Sequence, residues 1–141
     1  MFYEAVVTYY DYDEDSRNNR ISKFTKTLVC KGENYTDAEV QVTSWASENL
    51  NVDYNITPIK ELDVINVYPN EKEEGLWFKC RGVYAVVNDV TGKMKEYKVT
   101  YLIEAQDIIE ATKMCQKILD DTIIEATRVI LVQEMQISEY I

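Results

Sequence analysis

The sequence predicts an α+β fold: two tandem ββαβ repeats forming an antiparallel-dominated sheet, with two helices packed on one face. Three observations predict it. The two halves of the chain superpose on one another, the segment opening each half alternates in strand fashion, and each half carries one capping-box-like helix start followed by an apolar stripe.

The duplication is read by sliding the chain along itself. At a shift of 73 residues, Thr27 to Tyr68 meets the second half without a gap. Thr27 meets Thr100, Cys30 meets Ile103, Asn34 meets Asp107, and Ala38 meets Ala111. Ile59-Lys60-Glu61-Leu62 meets Val132-Gln133-Glu134-Met135. Upstream the shift becomes 75, so that Phe2-Tyr3 meets Trp77-Phe78, Ala5 meets Cys80 and Tyr9 meets Tyr84. Identities are few, but polar and apolar classes agree. The repeats are placed at 1–69 and 76–141, both in one compact domain. The Pro, Gly and charges of Pro69 to Gly75 predict a solvated connector between them.

The elements follow in order. The first strand puts Tyr3, Ala5, Val7 and Tyr9 on one face and Phe2, Glu4, Val6, Thr8 and Tyr10 on the other. Its counterpart puts Phe78, Cys80, Gly82, Tyr84 and Val86 opposite Trp77, Lys79, Arg81 and Val83. Second strands are predicted at 21–31 and 94–105, with Phe24, Leu28, Cys30 and Tyr97, Val99, Tyr101, Ile103 as apolar sets. A short hairpin loop falls at Asn88 to Gly92. Helices start near Asn34 and Asp107, where a side-chain oxygen accepts from free helix N–H groups and Asp37 or Glu110 reaches back. Their inward stripes are Ala38, Val42, Trp45, Ala46 and Ala111, Met114, Cys115, Ile118, Leu119. Third strands are predicted at 56–68 and 127–138. All six strands most simply share one sheet, leaving its second face open or covered by a partner chain.

Composition limits the chemistry. The 141 residues carry 15 Lys plus Arg against 25 Asp plus Glu, a net charge of -10, with acids in excess in both halves. That opposes broad, non-specific binding to nucleic acid or anionic membrane. Histidine is absent, which removes Ser-His-Asp, Cys-His and every His-ligated metal site. With 4 Gly and 2 Pro, long disordered linkers are not expected. No apolar run approaches membrane-spanning length, and MFYEAVV lacks a signal pattern. A soluble cytoplasmic protein is expected. The thiols Cys30, Cys80 and Cys115 are odd in number and far apart, and are expected to be reduced and buried.

The opening aromatic pair Phe2-Tyr3, the acid-flanked Ala38, the start Ile56-Thr57-Pro58-Ile59-Lys60, the run Trp77-Phe78-Lys79-Cys80 and the hairpin Asp89 to Gly92 together resemble an uncharacterised family. It is domain-of-unknown-function family 4494, of Bacteroidetes-type bacteria and their phages. The resemblance spans nearly the whole chain, and Trp-Phe-Lys-Cys is its most specific piece. The chain departs from it at Asp11 to Arg20, a longer and more acidic hairpin. The resemblance implies an origin on a phage or mobile element and no established activity.

The remaining constellations are weak. Asp11 to Asp15 opens like a calcium loop, but Ser16 and Ser22 stand where that loop requires Gly and Glu. Glu61 and Glu134 are repeat-equivalent acids, more simply two outward strand residues. No P-loop, dinucleotide Gly motif or CxxC is present. No metal, cofactor or catalytic residue is expected. What stands out is the predicted outer sheet face. Trp77, Lys79, Arg81, Lys98 and Thr100 lie there from one repeat; Phe2, Thr8, Tyr10, Lys23, Thr25 and Thr27 lie there from the other. Aromatics beside cations and hydroxyls stack on a base and hold a phosphate. Alternatively that face is a subunit interface covering Phe2, Val6, Trp77 and Val83. The expectation is therefore a non-catalytic binding protein, homo-oligomeric, capturing a host protein or a small anionic nucleotide-like ligand. In the ligand form Trp77 and Tyr10 stack, Arg81, Lys79 and Lys98 hold phosphate, and Lys23 belongs to the same ligand-binding set. A single-stranded nucleic-acid binder and an acidic DNA mimic that blocks a host enzyme are the alternatives. No membrane partner is expected.

Overall fold

Strand alternation produces the two long hairpins on which everything else is mounted. A computed structural model describes residues 1–14, 20–72 and 74–141. β1 (Phe2–Tyr12) pairs antiparallel with β2 (Ile21–Lys31), and β6 (Leu76–Val87) with β7 (Met94–Ala105). At the second hairpin tip Asn88 and Lys93 close the ladder, and Gly92 supplies the positive φ of 68° that the turn requires.

Helix α1 (Tyr35–Asn49) and helix α2 (Ile108–Thr122) begin where the capping residues predict. The Asn34 side chain accepts from the Asp37 amide at 2.8 Å, and the Asp107 side chain accepts from the Glu110 amide at 2.8 Å. Asp37 in turn accepts from the Glu33 amide at 3.0 Å. Ala38, Val42 and Ala46 of α1, and Ala111, Cys115 and Leu119 of α2, are fully buried. Trp45, Met114 and Ile118 are only partly so.

The fold is α+β, but the strands form two sheets instead of one. The first unit comprises Met1–Leu62 and Ile137–Ile141, the second Asp63–Gln136. Each has its own core: Tyr3, Ala5, Val7, Leu28 and Cys30 beneath α1, and Phe78, Cys80, Tyr101, Ile103 and Ala105 beneath α2. The division thus falls at Leu62, ahead of the predicted connector, and the last five residues return to the first unit.

The predicted third strands are also broken. In the first half they become β3 (Tyr54–Ile56), β4 (Lys60–Leu62) and β5 (Asn66–Tyr68); in the second, β8 (Thr127–Met135) and β9 (Glu139–Tyr140). Pro58 has no N–H to give a ladder, so β3 and β4 pair with β1 on either side of it. The Thr57 amide donates to the Val6 carbonyl at 2.9 Å, while the Thr57 hydroxyl accepts from the Val6 amide at 3.2 Å. The second half shows an irregularity at the equivalent place: Arg81 faces Leu131 and Gly82 faces Val129, leaving Ile130 unmatched.

The short strands β5 and β9 change unit. β5 follows the first repeat in sequence yet pairs parallel with β7, and β9 ends the second repeat yet pairs parallel with β2. Their registers correspond under the same 73-residue shift: Leu28 faces Glu139 as Tyr101 faces Asn66, and Val29 faces Tyr140 as Leu102 faces Val67.

Candidate functional site

Alternation sets which side chains share the face away from each helix. In the first sheet these are Phe2, Glu4, Val6, Thr8, Tyr10 and Tyr12 of β1, with Ile21, Lys23, Thr25, Thr27, Val29 and Lys31 facing them from β2. In the second they are Trp77, Lys79, Arg81, Val83, Ala85 and Val87 of β6, facing Glu104, Leu102, Thr100, Lys98, Glu96 and Met94 of β7. The face is not open along its length. Phe2 and Val29, and Trp77, Val83, Thr100 and Leu102, are buried within the single chain; toward the hairpin tips the same face is exposed.

The six predicted ligand residues therefore divide. Tyr10 and Lys23 are direct cross-strand partners in the first sheet, and both are exposed. Trp77, Lys79, Arg81 and Lys98 share one face of the second sheet. Trp77 is only 5% exposed and offers no ring face for a base to stack on. The carboxylate of its cross-strand neighbour Glu104 accepts from the Asn70 amide at 2.8 Å and the Gly75 amide at 3.1 Å. These bonds hold Asn70 and Gly75 at the end of β7 that faces Trp77. The Arg81 guanidinium Nε donates to the buried Thr100 hydroxyl at 3.2 Å. Lys79 is half-buried opposite Leu102, and Lys98 is exposed opposite Val83. Of the four residues predicted for a subunit interface, Phe2, Trp77 and Val83 are buried within the single chain and Val6 is half-buried.

The thiols are buried as expected and lie on the core faces. Burial first, and then the Asp37 carboxylate, pushes the Cys30 thiol above its ordinary range. Cys80 is pushed up by its hydrogen bond with Cys115 and then by burial. Cys30 and Cys80 are poor nucleophiles on that account, whereas the same hydrogen bond lowers the Cys115 thiol, itself fully buried. Glu61 sits across from Tyr3 in one sheet and Glu134 across from Phe78 in the other, both exposed. Neither sheet pairs them. Among the described residues no three Cys, Asp or Glu side chains are grouped to hold a metal. The calcium-like run reaches residues 15–19, outside those described.

Sequence reading missed the concave features beside Pro58. One hollow of about 350 Å³ is lined by Tyr35, Glu39 and residues 56–59. Another of about 340 Å³, on the outer side, is lined by Glu4, Val6, Thr57, Pro58 and Lys60. The available signal was Pro58 itself, since a proline inside a strand pattern marks a break or bulge, and breaks leave gaps.

These features define a two-unit α+β protein in which each unit lays one helix on one face of its own sheet. Over residues 1–141 the chain matches, and belongs to, the family described as "Domain of unknown function (DUF4494)". No curated protein and no solved structure matches it. No helix is long and apolar enough to cross a membrane among the described residues.

Proposed function

We propose that this chain is a non-catalytic binding protein that captures a small anionic, nucleotide-like ligand on the outer face of its first hairpin. The observation that carries the reading is the exposed cross-strand pair Tyr10–Lys23. A phenol ring offers a stacking surface to any planar base, and an ammonium on the neighbouring strand meets the phosphate attached to it. The flanking pair Thr8–Thr25 adds hydroxyls, and Tyr12 adds a second exposed ring. The charges on this face lean toward an anion: β2 places Lys23 and Lys31 there, against Glu4 from β1. The buried thiols and the absence of histidine support a binding role over a catalytic one. Trp77 leaves the ligand set on its burial and Arg81 on its bond to Thr100, while Lys79 and Lys98 belong to the second unit, outside this hairpin. The phage or mobile-element setting implied by the family resemblance, and a cytoplasmic location, accord with such a role.

The test is calorimetric titration with a panel of nucleoside mono-, di- and triphosphates, on the wild type, Tyr10→Ala and Lys23→Ala. Tyr10→Ala should weaken the best ligand by roughly 5- to 150-fold, the value of one stacked base. Lys23→Ala should weaken it and flatten its salt dependence. No heat from any nucleotide with the wild type overturns the ligand reading and redirects the search to a host protein. A preference for oligothymidylate over mononucleotides, with a steep salt slope, would favour the single-stranded nucleic-acid alternative on the same face.

A further inference from the structure

We propose that a second copy of this chain pairs with the free edge of β7, antiparallel and centred on Tyr97, joining two second-unit sheets into one. The edge is unused: among the described residues β5 covers β7 only at Tyr101–Ile103, and no strand pairs with Met94–Val99 on the side away from β6. Two hydrogen bonds fix which backbone groups point outward. The Lys93 carbonyl accepts from Asn88 and so faces β6, while the Thr100 carbonyl accepts from Ile65 and so faces away. The β6–β7 register is unbroken, so alternation places the amide and carbonyl groups of Lys98 and Glu96 on the free edge.

Charge then selects the register. Outward residues of one copy must face outward residues of the other. Centring on Glu96 sets like carboxylates opposite each other, and centring on Lys98 sets like ammoniums opposite each other. Centring on Lys95 also opposes a cation to itself. Centring on Tyr97 places Glu96 of each copy opposite Lys98 of its partner, twice by symmetry, with the two Tyr97 residues facing one another. The paired stretch, Lys95 to Val99, ends before Thr100, whose carbonyl Ile65 already occupies. Each Tyr97 is held for this contact, stacked on Tyr84 at 5.4 Å with the Lys95 ammonium 5.1 Å from its ring centre. The corresponding free edge of β2 carries Lys23 and Lys26 with no acid between them, and offers no such self-complementary pair. A free edge this long is what sheet proteins ordinarily cover or charge against pairing, and here the charges match. The surface lies in the second unit and stands independently of the Tyr10–Lys23 reading.

The test is sedimentation velocity on the full chain from about 1 to 100 μM, the range that resolves micromolar association. The wild type should dimerise. Glu96→Lys or Lys98→Glu alone should each weaken the dimer about 5- to 30-fold, because two attractive pairs become repulsive. The double variant Glu96→Lys/Lys98→Glu should restore it. Glu96→Pro removes an outward amide that β6 does not use, and should give a folded monomer with an unchanged circular dichroism spectrum. A wild type that stays monomeric overturns the proposal. So does a dimer indifferent to the single swaps, or one not restored by the double.

Discussion

In the second unit Gly82 and Leu119 are a matched pair, and a double-mutant cycle measures the match. A Cβ added at Gly82 would lie 2.4 Å from Leu119 Cδ1 and 2.6 Å from Cδ2. Leu119 is fully buried, so its side chain has little room to retreat. The repeat-equivalent positions in the first unit are Val7 and Ala46, both fully buried in the core under α1. One half thus sets a large strand residue against a small helix residue, and the other half reverses the sizes. Gly82→Val alone overpacks the contact and should cost about 1–3 kcal/mol. Leu119→Ala alone leaves a cavity and should cost about 2–5 kcal/mol. The double variant imports the pair found in the first unit. It should lose no more stability than Leu119→Ala alone, a coupling of about 1–3 kcal/mol. Urea unfolding of the four proteins supplies the numbers. Additive losses, with coupling under about 0.5 kcal/mol, would refute the claim that the two cores are packed as size-swapped equivalents.

Three further outcomes are expected. Deleting residues 137–141 removes β9, its bonds to Thr27 and Val29, and the Glu139 carboxylate that accepts from the Trp45 indole at 3.1 Å. The Trp45 indole signal in a nitrogen–proton NMR spectrum should shift, and the first unit should lose protection against hydrogen exchange. Asn34→Ala and Asp107→Ala should each cost about 1 kcal/mol of thermal stability through loss of an N-cap, and restoring Ser at either position should recover most of it. Alkali should destabilise the fold: burial raises Cys30 and Tyr101, whose ordinary values are 9.0 and 10.0, so the folded state holds protons that the unfolded chain releases. Stability is then intact below about pH 9 and falls above it, as denaturation midpoints against pH would record; a midpoint that rises above pH 9 would contradict the sign.

Local signals were legible in the sequence wherever one residue's chemistry decided a local outcome. Asn34 and Asp107 mark the helix starts because a free helix amide has few other partners. Period-two alternation orients both hairpins correctly, and the 73-residue shift carries into the β2–β9 and β5–β7 registers. What stayed hidden depends on which of several equivalent edges a strand meets. β5 and β9 are three and two residues long, too short for alternation to declare them. Nothing in them tells which unit they join, so one sheet looked simplest. Alternation also assigned Trp77 to its face correctly but could not reveal what covers that face. Nor did it show that the Glu104 carboxylate across from Trp77 accepts from the amides of Asn70 and Gly75. Tyr97, assigned to the core by parity, is 38% exposed.

The most direct test of the binding account is chemical-shift mapping on the full chain, titrated with the tightest nucleotide from the panel. The account predicts that the largest amide shifts fall on Thr8, Tyr10, Tyr12, Lys23 and Thr25, and that Tyr10→Ala moves their titration midpoint to higher ligand concentration by roughly 5- to 150-fold. Shifts confined to the second unit, or none at saturating nucleotide, would contradict it.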